Sequence, residues 1–597
     1  MKKTAIILSF LICIAVALFG FFRGKRGAVL GAGCELKFAQ LPAMKGGRIM
    51  PLSSASADVL RFLSGKSSAK IGGKNASATE WLFFINANKA AAETLPFFKT
   101  DNRELKNLLG ASGRYYSYKD LEKKFDEVWS AASASEQSRF SSACREAIEK
   151  AAAFENASNA LAVALENKTP RQTYDEWHGL LGEAAAEIKD AKAQNRNPDP
   201  AKISGAAKLL KTFQELKEVE NSGDGANILA IKSGEGWQTP LDTLLSANPG
   251  AAALEIFSAY ADIAEKLSGG DTDLDECAET LAHALRPSFK IKFENMANRL
   301  DIFYRGAILY AAAMLLLLAG AIKKWRETIF AAAAVFICCG FLAQTLGMAA
   351  RMYIQMRPPV TNLYSSVIFT GWAAVAISLF LMFKRGKKIY AAAAAPIGFL
   401  SLIVAINLPY SGDTMGKMAA VLNSNFWLTA HIVPMMLGYC GVFLAGFAAS
   451  LRLVYNALRL GKVSEEANAE FAKTVYAILC FALVFSFAGT MLGGVWANLS
   501  WGRFWGWDPK ENGALMVVLW TALAIHMHAL KYIRPKGLFA LACLANIVAA
   551  WAWFGVNMLG VGLHSYGFTS GGWKYLAAFA AIQAAVAALA LVPSRKE

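Results

Sequence analysis

From about Phe303 onward the chain is written in apolar runs of roughly 20 residues, the length that spans a bilayer, with short polar loops between them. They fall near 304–322, 329–349, 363–383, 389–408, 426–451, 473–494, 513–531, 537–558 and 573–592. A further apolar stretch follows Lys2 and Lys3 and ends at Phe22, with Arg23, Lys25 and Arg26 directly behind it. It has no small-residue cleavage site close behind, so it reads as a retained anchor, not a cleaved leader. Between these two regions, residues 24–302 are polar enough to be water-soluble. Tyr118 to Lys192 is rich in Ala, Glu, Lys and Leu with few breakers, the composition of amphipathic helices. Breaker clusters stand at Asn195–Pro200, Asn221–Gly225 and Ser268–Asp271. The pattern predicts a polytopic α-helical membrane protein of about ten spans with a large, mainly α-helical extracytoplasmic domain. Its parts are an anchor at 1–23, the polar domain at 24–302 and a nine-span membrane domain at 303–597.

Composition agrees: 55% of the 597 residues are hydrophobic, with a mean hydropathy of +0.33. The formal charge of +16 would ordinarily raise nucleic acid as a partner. Its placement argues instead for an orientation signal. Lys323, Lys324 and Arg326 follow the first span after Phe303, and Lys384, Arg385, Lys387 and Lys388 the third. Arg452, Arg459 and Lys462 follow the fifth, Lys531, Arg534 and Lys536 the seventh, Arg595 and Lys596 the last. If the spans alternate, all these loops share one side, the cytoplasm. The polar domain and the loops 350–362, 409–425, 495–512 and 559–572 then face the other side. Arg351 and Arg357 stand against the bias. Of the nine cysteines none lies in a CxxC or CxxCH arrangement, which excludes a c-type cytochrome and a thioredoxin-like redox protein.

The loop ending the sixth of these spans reads WGRFWGWDPKEN, residues 501–512. Trp501, Phe504, Trp505 and Trp507 form a dense aromatic platform, and Asp508, Pro509 and Glu511 spell a helix start: N-cap, N1 proline and the N3 acid of a capping box. On the topology drawn above, His431 and His564 share this loop's side and depth. Two imidazoles beside a plate of indoles fit a haem with two axial histidines; interfacial histidines in an ordinary aromatic belt fit the same pattern. His526 and His528 lie deep in the seventh span, about 200° apart around the helix, so only one of them can face a given interior or cavity. His178 and His283, in the polar domain, have no neighbours at metal-ligand spacing.

WGRFWGWDPKEN resembles the tryptophan-rich signature of haem-handling proteins of cytochrome c maturation, most closely the CcsA (ResC) branch. FWLTAHIVPMMLGY around His431 and GVNMLGVGLHSYGF around His564 are similar to the family's two external histidine segments, and residues 351–369 and 41–66 resemble further stretches of it. The resemblance implies haem delivery and covalent attachment to an apocytochrome c offering CxxCH. Haem b would be a transient substrate, ligated through iron by His431 and His564 and packed against Trp501, Trp505, Trp507 and Asp508. His526, standing 18 residues after Asp508, matches the family's intramembrane histidine. The family's ResB/CcsB-like half is missing from this chain, so the resemblance implies a separate subunit as partner, in a bacterial cytoplasmic membrane. It also leaves room for a carrier that loads a haem chaperone without forming the thioether, and the residues alone for a transporter of another flat ligand. Two departures stand out: LSSAS, residues 52–56, where longer relatives show LDT, and Tyr364-Ser365-Ser366 where Tyr-Glu-Ser is usual.

Overall fold

The computed structural model describes residues 2–18, 30, 32–134, 138–160, 170–222, 229–233, 236–246, 250–271, 273–320, 325–386, 389–408, 414–416, 418, 423–458, 464–559 and 572–592. His564 and several of the basic loop residues, among them Lys323, Lys387, Arg459 and Arg595, lie outside these. The chain divides into two compact units, one of residues 20–299 with 410–417 and one of 1–19, 300–409 and 418–597.

The first unit is mainly helical, as its composition predicts. Its helices begin where the sequence offers caps: Ser77 with Glu80, Ser117 with Asp120 and Thr239 with Asp242 each close a capping box. The breaker run at Asn195–Pro200 separates helix Pro170–Ala193 from helix Pro200–Ser222. What periodicity did not reveal are four two-stranded antiparallel sheets among the described residues, each too short to carry a countable alternation. The hairpin formed by β1 (Pro42–Lys45) and β2 (Arg48–Pro51) turns at Gly46 and Gly47, both at positive φ. One core joins these pieces, with Phe38, Trp81, Phe98, Phe154 and Tyr260 buried in it.

The LSSAS departure has a local role in this unit. Ser53 donates to Asn295 Oδ1 at 2.7 Å and Ser54 to Glu294 Oε1 at 3.2 Å. The same carboxylate takes a bidentate pair from Arg48, at 2.7 and 2.9 Å. These serines therefore pin the start of helix Leu52–Ser64 to helix Phe289–Leu300.

In the second unit, nine helices among the described residues are long and apolar enough to cross a membrane. The unit's long helices are numbered here α1 (Lys2–Leu18), α2 (Ile302–Ala319), α3 (Arg326–Gln355), α4 (Leu363–Arg385), α5 (Ile389–Asn407), α6 (Val433–Leu458), α7 (Glu465–Trp501), α8 (Pro509–Ala529), α9 (Pro535–Ala550) and α10 (Trp573–Ala588). The N-terminal α1 is apolar but has 17 residues, about 25 Å of helix, and is not among the nine. It packs on α3, and Arg305 donates to the Val16 carbonyl near its C-terminus at 2.9 Å, a favourable place for a cation.

Small residues bring α6 and α7 together. A Cβ on Gly438 would lie 2.7 Å from the Ser486 backbone nitrogen, and one on Gly441 2.8 Å from the Ala482 side chain. Backbones this close gain dispersion contacts in a setting where apolar burial alone gives helices no reason to associate. At the head of α4, Asn362 caps the helix and Ser365 occupies N3 of a capping box, its Oγ accepting from the Thr361 and Asn362 amides at 2.9 and 3.0 Å. Ser365 thus does here what a glutamate at N3 does in a capping box.

Candidate functional site

The aromatic sequence is divided between a helix and a loop. Helix α7 runs 37 residues, and Trp501 is its last, so residues 495–501 are helical and the loop proper is 502–508. Gly502 ends the helix in the left-handed conformation (φ 71°) and returns its N–H to Asn498 O. Six residues later Asp508 starts α8: its Oδ1 accepts from Lys510 N at 2.9 Å, and Glu511 Oε2 reaches back to Asp508 N at 3.1 Å. Glu511 does more than complete the cap, since the same oxygen also takes Gly506 N at 2.8 Å. One carboxylate therefore ties down the middle of the loop. Trp507 is held at φ 57°, a conformation costly for a bulky residue, with its carbonyl bonded by Asn512 Nδ2 at 3.1 Å. The residue is 71% exposed, and its ring meets Trp505 edge to face at 6.1 Å.

His431 lies in a π-helical turn, Leu428–Ile432, at the head of α6; such turns recur at functional sites. Its Nδ1 sits 2.8 Å from Gly489 O. A carbonyl only accepts, so Nδ1 carries the proton and the lone pair is at Nε2. The ring packs over Gly493, where a Cβ would come 2.5 Å from Cε1, and meets Trp496 at 5.9 Å. The next residue, Gly494, does the same for the loop: a Cβ there would lie 2.6 Å from the Phe504 ring. Two consecutive glycines of α7 thus seat the histidine and the aromatic loop side by side. The loop is also bound to α9's continuation. Lys510 Nζ donates to Trp553 O at 2.8 Å, inside a second π turn, Trp551–Gly555. That turn leads through Val556–Met558 toward the stretch containing His564, with Asn557 buried on the way. Sequence reading missed Lys510 and both π turns, because neither apolar period nor charge count marks them.

The two deep histidines face apart, as their spacing requires. His526 is exposed on this unit's surface, its Nδ1 2.8 Å from Ala522 O. His528 turns inward toward Tyr476 of α7, ring to ring at 5.8 Å, with a buried Nδ1 that has no partner among the described residues. No group of three or more His, Cys, Asp or Glu side chains converges on a metal position among the described residues.

These elements coincide with a known sequence pattern. The profile described as "Cytochrome C assembly protein" matches residues 360–564. The cytochrome c biogenesis protein CcsA of Guillardia theta is 31% identical over 232 residues, covering 35% of this chain and 77% of its own length. The chain belongs to the CcsA family. The CcsA protein of Parasynechococcus marenigrum aligns over 96% of its own length at 27% identity and takes up 44% of this chain. Protein NrfI of Wolinella succinogenes is 30% identical over 38% of this chain, which amounts to a quarter (25%) of that larger protein. The profile match takes in α4, His431, the loop and Lys510, so the geometry above is built on the CcsA-like part of the chain.

Proposed function

We propose that this chain takes part in cytochrome c biogenesis by receiving haem at the face shared by His431 and the tryptophan loop and holding it for covalent attachment to an apocytochrome c. The observation that carries the reading is the Gly493–Gly494 step, which seats His431, with its lone pair at Nε2, beside the Phe504 ring of the loop that presents the exposed Trp507. A second imidazole, His564, completes the ligand pair. Neutral nitrogen ligands suit a haem iron kept reduced. Trp501, Trp505 and Trp507 supply flat apolar surface, while Asp508 and Glu511 keep that surface rigid from below. Attachment then needs chiefly position: two thiols of a CxxCH segment held beside two vinyl groups, its histidine replacing one protein ligand.

On this reading the face lies on the outer side of a bacterial cytoplasmic membrane, a side supported by the run of basic residues in alternate loops. His526 looks outward from the unit near the other end of α8, as a residue completed by a separate ResB/CcsB-like subunit would. The test is direct. Protein purified from haem-replete cells should show a haem absorption spectrum, and coexpression with a ResB-like subunit should attach haem to a CxxCH reporter. A colourless protein overturns haem binding. Attachment that survives both His431→Ala and His564→Ala without added imidazole overturns the ligand assignment.

A further inference from the structure

Helix Phe289–Leu300, which closes the polar unit, is amphipathic in the reverse sense of an ordinary surface helix. At about 100° per residue, Ile291, Glu294, Asn295 and Asn298 share one face, and that face is turned into the unit. Glu294 and Asn295 are 1% and 2% exposed; Glu294 is paired with Arg48, and Asn298 donates to Ser54 Oγ at 2.9 Å. The opposite face carries Phe289, Phe293, Met296 and Leu300 within about 60° of arc. Phe289 is 72% exposed and Met296 41%, and the two phenylalanine rings stack at 6.0 Å. A helix at a water-facing surface turns its polar residues outward. This one shows an apolar stripe and hides its acid.

Its charges and its place in the chain say what covers the stripe. Lys292 and Arg299 border it on one side and Lys290 on the other, none with an ion-pair partner among the described residues. The chain then passes through a single residue, Asp301, left-handed at φ 46°, into α2. The 18 residues of α2 reach about 27 Å, close to a whole hydrocarbon core, so helix Phe289–Leu300 ends where lipid headgroups lie. An apolar stripe rimmed by cations and tethered at that depth has the makings of an interfacial helix. We propose that helix Phe289–Leu300 lies in the surface of an anionic leaflet, with Phe289, Phe293 and Met296 among the acyl chains and Lys290, Lys292 and Arg299 at the lipid phosphates. Lys292 and Arg299 are exposed, so the phosphates meet them without entering the protein. The anchorage belongs to this helix and stands whether or not the tryptophan face binds haem.

The full-length protein carrying benzoylphenylalanine at Phe289, an aromatic replacement at an exposed position, would be irradiated in nanodiscs of phosphatidylcholine with or without phosphatidylglycerol, and its adducts read by mass spectrometry. Ile188, 51% exposed on helix Pro170–Ala193, is the reference for an apolar side chain in water. Lipid adducts at Phe289 should exceed those at Ile188 several-fold. Phosphatidylglycerol should raise the yield further, and Lys292→Gln with Arg299→Gln should remove that gain at an unchanged melting temperature, since both side chains are exposed. Lipid adducts no more frequent than at Ile188, a yield indifferent to phosphatidylglycerol, or crosslinks to a second copy of the chain in place of lipid would each overturn the proposal.

Discussion

At the scale of single residues, Asp508 can be separated from its neighbours by chemistry. Asn caps a helix about as well as Asp. If Asp508 acts by capping, through its bond to Lys510 N at 2.9 Å, Asp508→Asn should leave haem attachment near wild type, whereas Asp508→Ala should lose about 1 kcal/mol of local stability and loosen the loop. Attachment lost in both variants at equal stability would make the charge itself part of the site. Gly493 makes the opposite kind of prediction. A Cβ 2.5 Å from His431 Cε1 must push the ring off its seat, so Gly493→Ala should weaken or shift the haem spectrum while its effect on melting stays small. An unchanged spectrum would mean that His431 does not need this position. The helix cap at Asp508, Pro509 and Glu511 was legible in the sequence because capping is local. Gly493 and Gly494 were legible as places of close approach, but which side chains they seat was not, because those contacts exist only once α6, α7 and the loop are packed.

At the scale of elements, boundaries written in breakers and caps came out close to where the sequence places them, and pieces shorter than a period did not. The spans near 363–383 and 513–531 correspond to α4 and α8, and the break at Asn195 to the gap between two helices. The four two-stranded sheets and two π turns among the described residues carry no period long enough to count. That gap between helices, residues 194–199, also holds an acid-sensitive joint. Glu187 has its carboxyl pulled down to about 2, first by the Arg196 hydrogen bond and then by the Asp199 N–H. A depressed carboxylate adds stability above its ordinary value of 4.5, and the contribution is lost as pH falls through about 2. Protection of the amides in helices Pro170–Ala193 and Pro200–Ser222, measured as exchange relative to the intrinsic rate at each pH, should therefore fall between those pH values, and Glu187→Gln should remove that step. The N-terminal α1 offers another check, since the Cys13 thiol lies against that of Cys339 on α3. Oxidation with copper phenanthroline should join them, leaving a proteolysed α1 fragment attached until reductant is added. No such linkage would form if α1 were removed from the mature protein.

At the scale of the whole molecule, the surface of the membrane unit poses a question that one chain cannot answer alone. His526 is exposed on α8 close to the end of the span, and Leu519 and Leu523, exposed at 60% and 47%, stand on the same helix. Leucines face lipid at no cost, but an imidazole there is better covered by protein. Spacing of the two histidines showed that they must diverge; which one turns outward depended on how α7 and α9 pack around α8, information that is not local. If a ResB/CcsB-like subunit covers this face, a photoreactive benzoylphenylalanine at Leu523, one turn before His526, should crosslink to it in membranes containing both proteins. The same probe at Leu315 of α2, 62% exposed and on a different helix, serves as the control. Crosslinks of equal yield at both positions, or adducts to lipid alone at Leu523, would leave the α8 face as ordinary bilayer contact and remove the structural argument for a second subunit completing the site at His526.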